Sequence, residues 1–314
     1  MSGDITPNLL MEHDMTELTT LNSTNFADMA KAAGMDLSMP AVETKSSSLH
    51  RLGLQQKAII GKQDIKGKKV NVEIVEGGSI KLEDPDTRET VYAQSASLRP
   101  YLQRVMYKRF VRGSGDEPNK FIKTGMANDL NGDLKDTEGG FNCGKPAGYI
   151  KDWDQVPDSM KSLVRQIKRT RAILGTVTLK GVVNKDGEPV DLEPDIPIIW
   201  EIDNRDAFKD SSIPFQTLFS KKELPLHRRI DVGATQRDLP NGEFFYLPKL
   251  TLDVSSKLEI TDEDQQTFAD FIEWVNNYNT YVERQWSEKA LKEDVTAGQS
   301  ALLDGFLNVE EAAA

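Results

Sequence analysis

The sequence predicts an α+β protein with a β-rich core, a long carboxy-terminal helix and flexible termini. Across residues 49–260, short segments of alternating apolar and polar residues are separated by clusters of Gly, Asn, Asp and Pro, which is typical of strands joined by turns. After residue 260, apolar residues recur at steps of three and four, which is typical of an amphipathic helix. The composition, 38% hydrophobic and 28% charged, is polar for a globular protein but is not that of a fully disordered chain.

Residues 1–48 predict a flexible amino-terminal arm rather than a domain. The segment is rich in Thr, Ser, Asp, Met and Ala, and it contains one short helical pattern, from Asn25 to Ala33, ended by Gly34. Terminal segments are poorly ordered unless another element holds them. We therefore begin the core at residue 49.

The first half of the core predicts a β-meander followed by an ambiguous segment. Alternating stretches lie at 49–54, 69–75, 79–82 and 89–94, with Gly77-Gly78 and residues 83–86 at turn positions between them. In residues 98–110, the apolar positions fit both a period of two and i,i+4 spacing. Strand and helix therefore both remain open there, and we favour the strand.

The second half of the core predicts one helix and a second group of strands. After a loop-rich block at 113–153, a helix begins near Asp158, a suitable N-cap, and runs to about Arg171. Strands are then predicted at 172–183, 196–202, 229–232 and 244–252, with a helical passage at 206–222 and turns at 185–187 and 240–242. Strands interrupted by one helix suit a small Greek-key barrel.

The clearest helix of the chain begins at a capping-box pattern, Thr261 to Asp264, and continues to about Lys292. Its apolar side chains recur on one face and are Phe268, Phe271, Ile272, Val275, Tyr278, Tyr281, Val282 and Trp286. Packing against the core is the favoured interpretation of this face, and a partner or self-association surface is the alternative. We assign residues 261–293 to the helix and residues 294–314 to a flexible tail.

The composition excludes several classes of site. Cys143 is the single cysteine and there are three histidines, so neither an internal disulfide nor a structural zinc site can form. No apolar run approaches the roughly 20 residues of a membrane-spanning helix, and the amino terminus lacks a signal-peptide pattern. We expect a soluble cytoplasmic protein that uses no cofactor and no metal.

No catalytic motif is recognisable either. The acidic loop from Asp129 to Glu138 has oxygen donors, but its spacing does not match a calcium loop, and a structural loop is favoured. Cys143 has no histidine that the sequence places beside it, and no nucleophile elbow is present. We therefore expect a protein that is not an enzyme.

Two basic clusters contrast with the net charge of −11. The first comprises Arg99, Arg104, Lys108, Arg109, Arg112, Lys120 and Lys123, interleaved with Tyr101, Tyr107, Phe110 and Phe121. Cations that neutralise phosphates beside rings that stack on bases are what a single strand of nucleic acid requires. The alternative is an ordinary strand whose rings face the core and whose charges are solvated.

The second basic cluster comprises Lys161, Arg165, Lys168, Arg169 and Arg171, with no acidic residue among them. On one helix, the first four of these would share a face, which suits phosphate contact or simple solvation. The intervening loop at 139–149 adds Lys145 among glycines, and Tyr149 and Trp153 beside it. Its spacing matches neither the P-loop nor the dinucleotide-binding motif.

With these features, the layout resembles that of phage single-stranded DNA-binding proteins built on an OB-fold. The resemblance is architectural: residues 172–183, 198–202 and 244–252 match barrel strands, and residues 101–110 match a binding surface. It implies an OB-like small barrel and sequence-tolerant single-stranded DNA binding in replication or recombination, in the host cytoplasm. It also implies contacts with replication or recombination proteins through the tail, which is less acidic here than in many such proteins.

A second hypothesis is a phage structural or assembly protein, in which the arm and the aromatic helix make subunit contacts, including those of a homo-oligomer. An unrecognised enzyme ranks third. Under the first hypothesis, Arg104, Lys108, Arg109, Lys168 and Arg169 hold phosphates, and Tyr101, Tyr107, Phe110, Tyr149 and Trp153 supply stacking surfaces.

Overall fold

The computed structural model of the chain describes residues 49–65, 68–115, 118–148, 150 and 152–311. The predicted arm at 1–48 and the predicted stacking residue Tyr149 lie outside these residues. Within them, no helix is long and apolar enough to cross a bilayer.

The described residues form eleven strands and four α-helices. The strands are β1 (His50–Leu54), β2 (Ile59–Ile65), β3 (Lys68–Val75), β4 (Ile80–Glu83), β5 (Thr90–Ala93), β6 (Ser95–Val111), β7 (Lys120–Lys123), β8 (Ile167–Lys180), β9 (Ile196–Ile202), β10 (Ile230–Asp238) and β11 (Phe244–Leu252). The α-helices are α1 (Asp158–Gln166), α2 (Arg205–Asp210), α3 (Ile213–Ser220) and α4 (Asp262–Glu311). The fold is therefore a mixture of α and β structure, as predicted.

Nine strands form one large sheet in the order β11-β10-β6-β8-β9-β1-β4-β5, with β7 paired to β6. The pairing of β1 with β9 is parallel, whereas the other pairings in this sheet are antiparallel. Strands β2 and β3 form a separate two-stranded hairpin. The large sheet is not closed into a barrel, because no ladder joins β5 to β11 among the described residues.

Both ends of the large sheet nevertheless contribute to one hydrophobic core. Ile80 of β4, Leu98 of β6, Ile173 of β8 and Ile230 of β10 are all fully buried and belong to the same cluster. The sheet must therefore curve around these side chains. Burying each such side chain contributes about 1.5–3 kcal/mol, and α2 and α3 complete the cover of this core through Ala207 and Phe215.

The longest ladder of the sheet pairs β6 with β8 and contains one irregularity, between Pro100 and Leu102. At this point Gly175 lies opposite Pro100, and a Cβ atom at Gly175 would lie 2.4 Å from the carbonyl oxygen of Arg99. Glycine is required here because the two backbones approach too closely for any side chain. The bulge places Tyr101 beneath α4, where the two rings of Tyr101 and Phe271 meet edge to face at 5.5 Å.

Helix α4 packs against β6 through polar contacts as well as apolar ones. Its predicted capping box is confirmed, because Asp264 accepts a hydrogen bond from the Thr261 backbone N–H while its own N–H donates to the Thr261 hydroxyl. Arg99 forms an ion pair with Asp264 at 2.7 Å. Further along, the Tyr278 hydroxyl donates to the backbone oxygen of Thr124 at 3.0 Å. Four of its predicted apolar residues are buried, as the favoured interpretation states: Phe268, Phe271, Val275 and Val282. Tyr281 of the same predicted face is 49% exposed.

Several predicted boundaries are confirmed and others are corrected. The segment 98–110 is a strand, within β6, and the strands predicted at 196–202 and 244–252 match β9 and β11. The helix predicted from Asp158 to Arg171 ends at Gln166, because Ile167 and the residues after it pair with β6 as the first part of β8. The helix predicted to end near Lys292 continues to Glu311, so residues 294–311 of the predicted tail have a helical backbone. Strands β2 and β7 were not predicted.

Candidate functional site

The ladder between β6 and β8 brings the two basic clusters side by side. Tyr107 lies opposite Arg169, and Lys108 lies opposite Lys168. Because directly opposed residues share a face and successive residues alternate, the pleat divides the cations between two faces. We name them the core face, which includes the buried Ile173, and the helix face, which includes Met106 and is covered by α4.

On the core face, four basic side chains surround the rings of Tyr107 and Phe208. We call this group the cationic cluster; it consists of Arg109, Lys145, Arg169 and Arg171. Three of its members come from β6 and β8, and the fourth comes from the loop before α1. The antiparallel ladder therefore assembles a charge group from segments more than 50 residues apart.

Arg109 and Lys145 are held by neutral acceptors. The Arg109 guanidinium donates to the side-chain oxygen of Gln166 at 3.3 Å and to the backbone oxygen of Cys143 at 3.5 Å. Lys145 donates to two backbone carbonyl oxygens of its own loop, at 2.8 and 2.7 Å, and its Nζ lies 5.6 Å from the centre of the Tyr107 ring. Neither contact neutralises the positive charge.

Arg169 and Arg171 both lie over the ring of Phe208 on α2, at 5.2 and 4.8 Å from its centre. Arg171 also donates to the Phe208 backbone oxygen and to the side-chain oxygen of Gln103, both neutral groups. Cation–π contacts of this kind orient a guanidinium without removing its charge. Arg171 is buried, whereas Arg169 is exposed to solvent.

Among the described residues, no carboxylate neutralises the cationic cluster. In the part of the chain that the structure describes, none of its four members forms an ion pair within 4.0 Å. Burial lowers the pKa of Lys145, and the positive charge of Arg169 lowers it further. Burial also lowers the pKa of Arg171. An anion bound between Lys145 and Arg169 would relieve the repulsion between these two charges.

On the helix face, by contrast, two lysines are paired with acids. Lys108 forms an ion pair with Glu201 of β9, and Lys168 forms one with Asp203 at 3.1 Å. Burial lowers the pKa of Lys108, and the charge of Glu201 opposes that shift. These lysines were predicted to hold phosphates, but the structure shows each one bound to a carboxylate.

Three other predicted site residues, Tyr101, Arg104 and Tyr107, are buried, and Arg99 is largely shielded from solvent in a structural ion pair. Tyr101 and Tyr107 are only 4% and 3% exposed, so the prediction that their rings stack on bases is corrected: neither ring is accessible in this structure. Arg99 belongs to the ion pair with Asp264, and Arg104 is 6% exposed. Burial lowers the pKa of Arg104 to about 10.

The remaining predicted residues are on α1 or are exposed at the surface. Lys161 contacts Asp158 at 3.6 Å on α1, and Arg165 of the same helix is exposed. The prediction that they share a helix face with Lys168 and Arg169 is wrong, because α1 ends before those residues. The other predicted side chains that the structure describes are exposed: Phe110, Arg112, Lys120 and Trp153.

Sequence reasoning missed Phe208, which lies beneath two arginines, and it named Phe121 among the rings of the first basic cluster without including it in the stacking residues. Phe208 follows the Asn204 N-cap of α2, and no local pattern connects it with Arg169. The acidic loop is structural, as favoured, because Asp136 accepts hydrogen bonds from the backbone N–H groups of Glu138, Gly140 and Cys143. Burial raises the pKa of the Cys143 thiol to about 12, which makes it a poor nucleophile.

No protein family model matches the chain, and neither a curated protein nor a solved structure shows significant similarity to it. The site must therefore be interpreted from its own geometry.

Proposed function

We propose that the protein binds single-stranded DNA without sequence preference and serves replication or recombination without a catalytic activity of its own. The observation that supports this function is the carboxylate-free cationic cluster in a chain whose net charge is −11. With 50 acidic residues available, four adjacent cations without an acidic partner are unexpected on an ordinary surface. A polyanionic ligand supplies the missing negative charge.

The chemistry of the cluster favours phosphate over a carboxylate ligand from a small molecule. Three of its members are arginines, whose planar guanidinium groups donate paired hydrogen bonds to phosphate oxygens. The neutral acceptors around Arg109 and Arg171 hold the guanidinium groups in place before the ligand arrives. Contacts to phosphate position a nucleic acid but do not distinguish its bases, which is why we expect sequence tolerance.

We further propose that the curved sheet is an open, OB-like barrel with the cationic cluster at one end. The single core shared by both ends of the sheet supports this arrangement. So does Gln56, which follows β1: its side chain donates to the backbone oxygen of Tyr246 on β11 at 3.0 Å and accepts from the Tyr246 N–H at 2.9 Å. An amide side chain thus occupies the hydrogen-bonding positions that a closing strand would use.

The test is a titration of labelled oligothymidine, beside a duplex of equal length, at several salt concentrations. If the three cluster cations that are not buried, Arg109, Lys145 and Arg169, contact phosphates, the plot of log K against log salt concentration has a slope of about −2. We expect the single strand to bind more tightly than the duplex. Affinity that does not change with salt, or no binding at any salt, would contradict the proposal.

Charge-reversed variants connect that binding to the cluster. Arg169→Glu should weaken oligothymidine binding strongly and flatten the salt dependence, because it places an acid among the remaining cations. Lys249→Glu is the matched control, since Lys249 is exposed on β11, away from the cluster, and makes the same change in net charge. Equal weakening by both variants would indicate general repulsion rather than a site.

The second candidate, a phage structural or assembly protein that makes subunit contacts, is supported by a different observation. Phe219 on α3 is 85% exposed, and Ile213 on the same helix is 57% exposed. Exposed apolar side chains of this size often mark protein contacts. Light scattering that shows large homo-oligomers without DNA, and their loss in Phe219→Ser, would favour this candidate.

A further inference from the structure

Phe110 and Phe121 form an exposed aromatic pair at the end of the helix face. They lie directly opposite each other on β6 and β7, with ring centres 4.7 Å apart. Phe110 is 44% exposed and Phe121 is 69% exposed. Direct cross-strand aromatic pairs stabilise a sheet, but that role does not require both rings to face solvent.

The cover provided by α4 ends before this pair. On the same face of β6, Met106 is fully buried and contacts Tyr278 of α4. Lys108 and Lys123 form the next pair of opposed residues, and the two phenylalanines follow. The rings therefore lie beyond the hydrophobic part of the helix face, in polar surroundings.

The surroundings of the pair are basic. Lys123 precedes it on the same face and Arg112 follows Phe110 by two residues, so cations lie on both sides along the strands. Lys120, at the start of β7, is half exposed and contacts Glu138 at 3.7 Å. Aromatic rings bordered by cations are complementary to a base bordered by phosphates, whereas an apolar protein surface would leave the cations without partners.

The position of β7 connects the pair with the cationic cluster. Among the described strands, β7 pairs with β6 alone. At the end of β7, Lys123 also exchanges hydrogen bonds with Thr137, whereas Phe121 has no such partner among the described residues and lies at an edge of the sheet. Arg109 of the cluster and Phe110 are adjacent residues that point to opposite faces. A flexible single strand can pass around this edge from one face to the other, but a stiff duplex cannot.

We propose that Phe110 and Phe121 form a base-stacking subsite for a single strand whose phosphates are held by the cationic cluster. This inference rests on the proposed function, and it names the ligand more closely: a nucleic acid with unpaired bases, bent around the β7 edge. The cluster supplies affinity that depends on salt, and the pair supplies affinity that depends on the presence of bases. The two contributions can therefore be measured separately.

The experiment compares the full-length protein with its Phe110→Ala/Phe121→Ala variant on two ligands. One is oligothymidine, and the other is an abasic deoxyribose-phosphate strand of equal length. We expect the variant to bind oligothymidine about 5- to 100-fold more weakly, with the same salt slope as the wild type. Its affinity for the abasic strand should equal that of the wild type, because that ligand has no base to stack.

Matched variants separate stacking from folding. Phe244→Ala removes another exposed ring, 51% exposed and in contact with Tyr246 on β11, and should leave both affinities unchanged. Phe121→Leu keeps an apolar side chain opposite Phe110 but removes the ring. If the double variant fails to fold, Phe121→Leu should still weaken oligothymidine binding selectively.

The outcomes distinguish this inference from the proposed function. If the wild type binds neither ligand, the proposed function fails. If the wild type binds oligothymidine and the ring variants bind it equally well, the stacking subsite is overturned while the function stands. An equal loss of affinity for the abasic strand would also overturn it, since the rings would then act only on the structure of the site.

Discussion

The two faces of the β6–β8 ladder differ in how they treat their basic residues. On the helix face, Lys108 and Lys168 are bound to Glu201 and Asp203. On the core face, Arg169 and the rest of the cationic cluster have only neutral partners. Apart from Lys145, the same two strands supply both sets, and Lys108 and Lys168 alternate with Arg109, Arg169 and Arg171 along the chain.

This difference shows that the pleat of the sheet, and not the density of charge in the sequence, separates the cations that form ion pairs from those that have neutral partners. The two acids Glu201 of β9 and Asp203 just after it reach the helix face, because Glu201 is in register with Ala172 on that face. The core face receives Ile202 from the same strand. The ion pairs of the helix face stabilise the fold, and the cationic cluster on the core face is the part of the ladder for which we propose anion binding.

The largest expected effect concerns the contact between α4 and β6. In Asp264→Asn, the buried Arg99 loses its ionised partner, which should lower the free energy of unfolding by about 3–5 kcal/mol because the two side chains are 12% and 8% exposed. Urea unfolding followed by circular dichroism measures the change. The salt slope for oligothymidine should stay that of the wild type where the variant is folded; a flatter slope would mean that the two faces are not independent.

Acid should weaken the same contact. Burial raises the pKa of Asp264, but hydrogen bonds from Thr261 and Tyr101 and the charge of Arg99 outweigh it, so the net shift is below the ordinary value of 3.8. A carboxyl with a depressed pKa stabilises the fold above its unfolded pKa, and that stabilisation is lost as the pH falls through the folded pKa. We expect the urea midpoint to fall below about pH 4.

The Asp264→Asn variant is the control for this pH effect. Other carboxyls with lowered pKa values, such as Asp253 and Asp195, titrate in the same range and remain in both proteins. The difference between wild type and variant should therefore shrink as the pH falls. A constant difference down to pH 2 would rule out Asp264 as a source of the acid sensitivity.

A smaller effect is expected for Arg169, which follows Lys168 in the chain but lies on the opposite face of the ladder. Arg169→Ala should reduce the magnitude of the salt slope by about 0.7, because one phosphate contact is lost. Its stability should change by no more than about 0.5 kcal/mol, since Arg169 is exposed and forms no ion pair.

Lys168→Ala should have the smallest effect and serves as the matched partner of Arg169→Ala. It makes the same change in net charge one residue away, but it removes a surface ion pair in which Lys168 is 59% exposed, worth about 0–1 kcal/mol. We expect the salt slope to change less than in Arg169→Ala. Equal slopes for the two variants would show that the pleat does not decide which cations bind.

Much of the local structure was predictable from the sequence because local signals specify it. The capping box at Thr261 predicted the first turn of α4, and the turn at 240–242 predicted the β10–β11 hairpin, in which Gly242 has a φ of +83°. Alternation predicted β9 and β11 with their observed bounds. These signals depend on residues within a few positions of one another.

The candidate site was predictable only in part. The sequence located both basic segments, but it placed Lys168 to Arg171 on a helix, where backbone pairing with β6 instead makes a strand. It also treated Tyr107 as a surface ring, whereas the loop containing Cys143 buries it in a small satellite core. No local sequence pattern predicts this strand or the burial of Tyr107, because each depends on a segment more than 20 residues away.

By itself, the sequence determined the class of fold, the strongest helix and turns, and an unusual concentration of cations in an acidic chain. Only the tertiary structure decided which of those cations have acidic partners and which rings face solvent. The physical reason is that apolar periodicity, helix capping and turn preference depend on residues close together in the sequence. Charge compensation and burial depend instead on which side of a strand meets β9, α2 or α4.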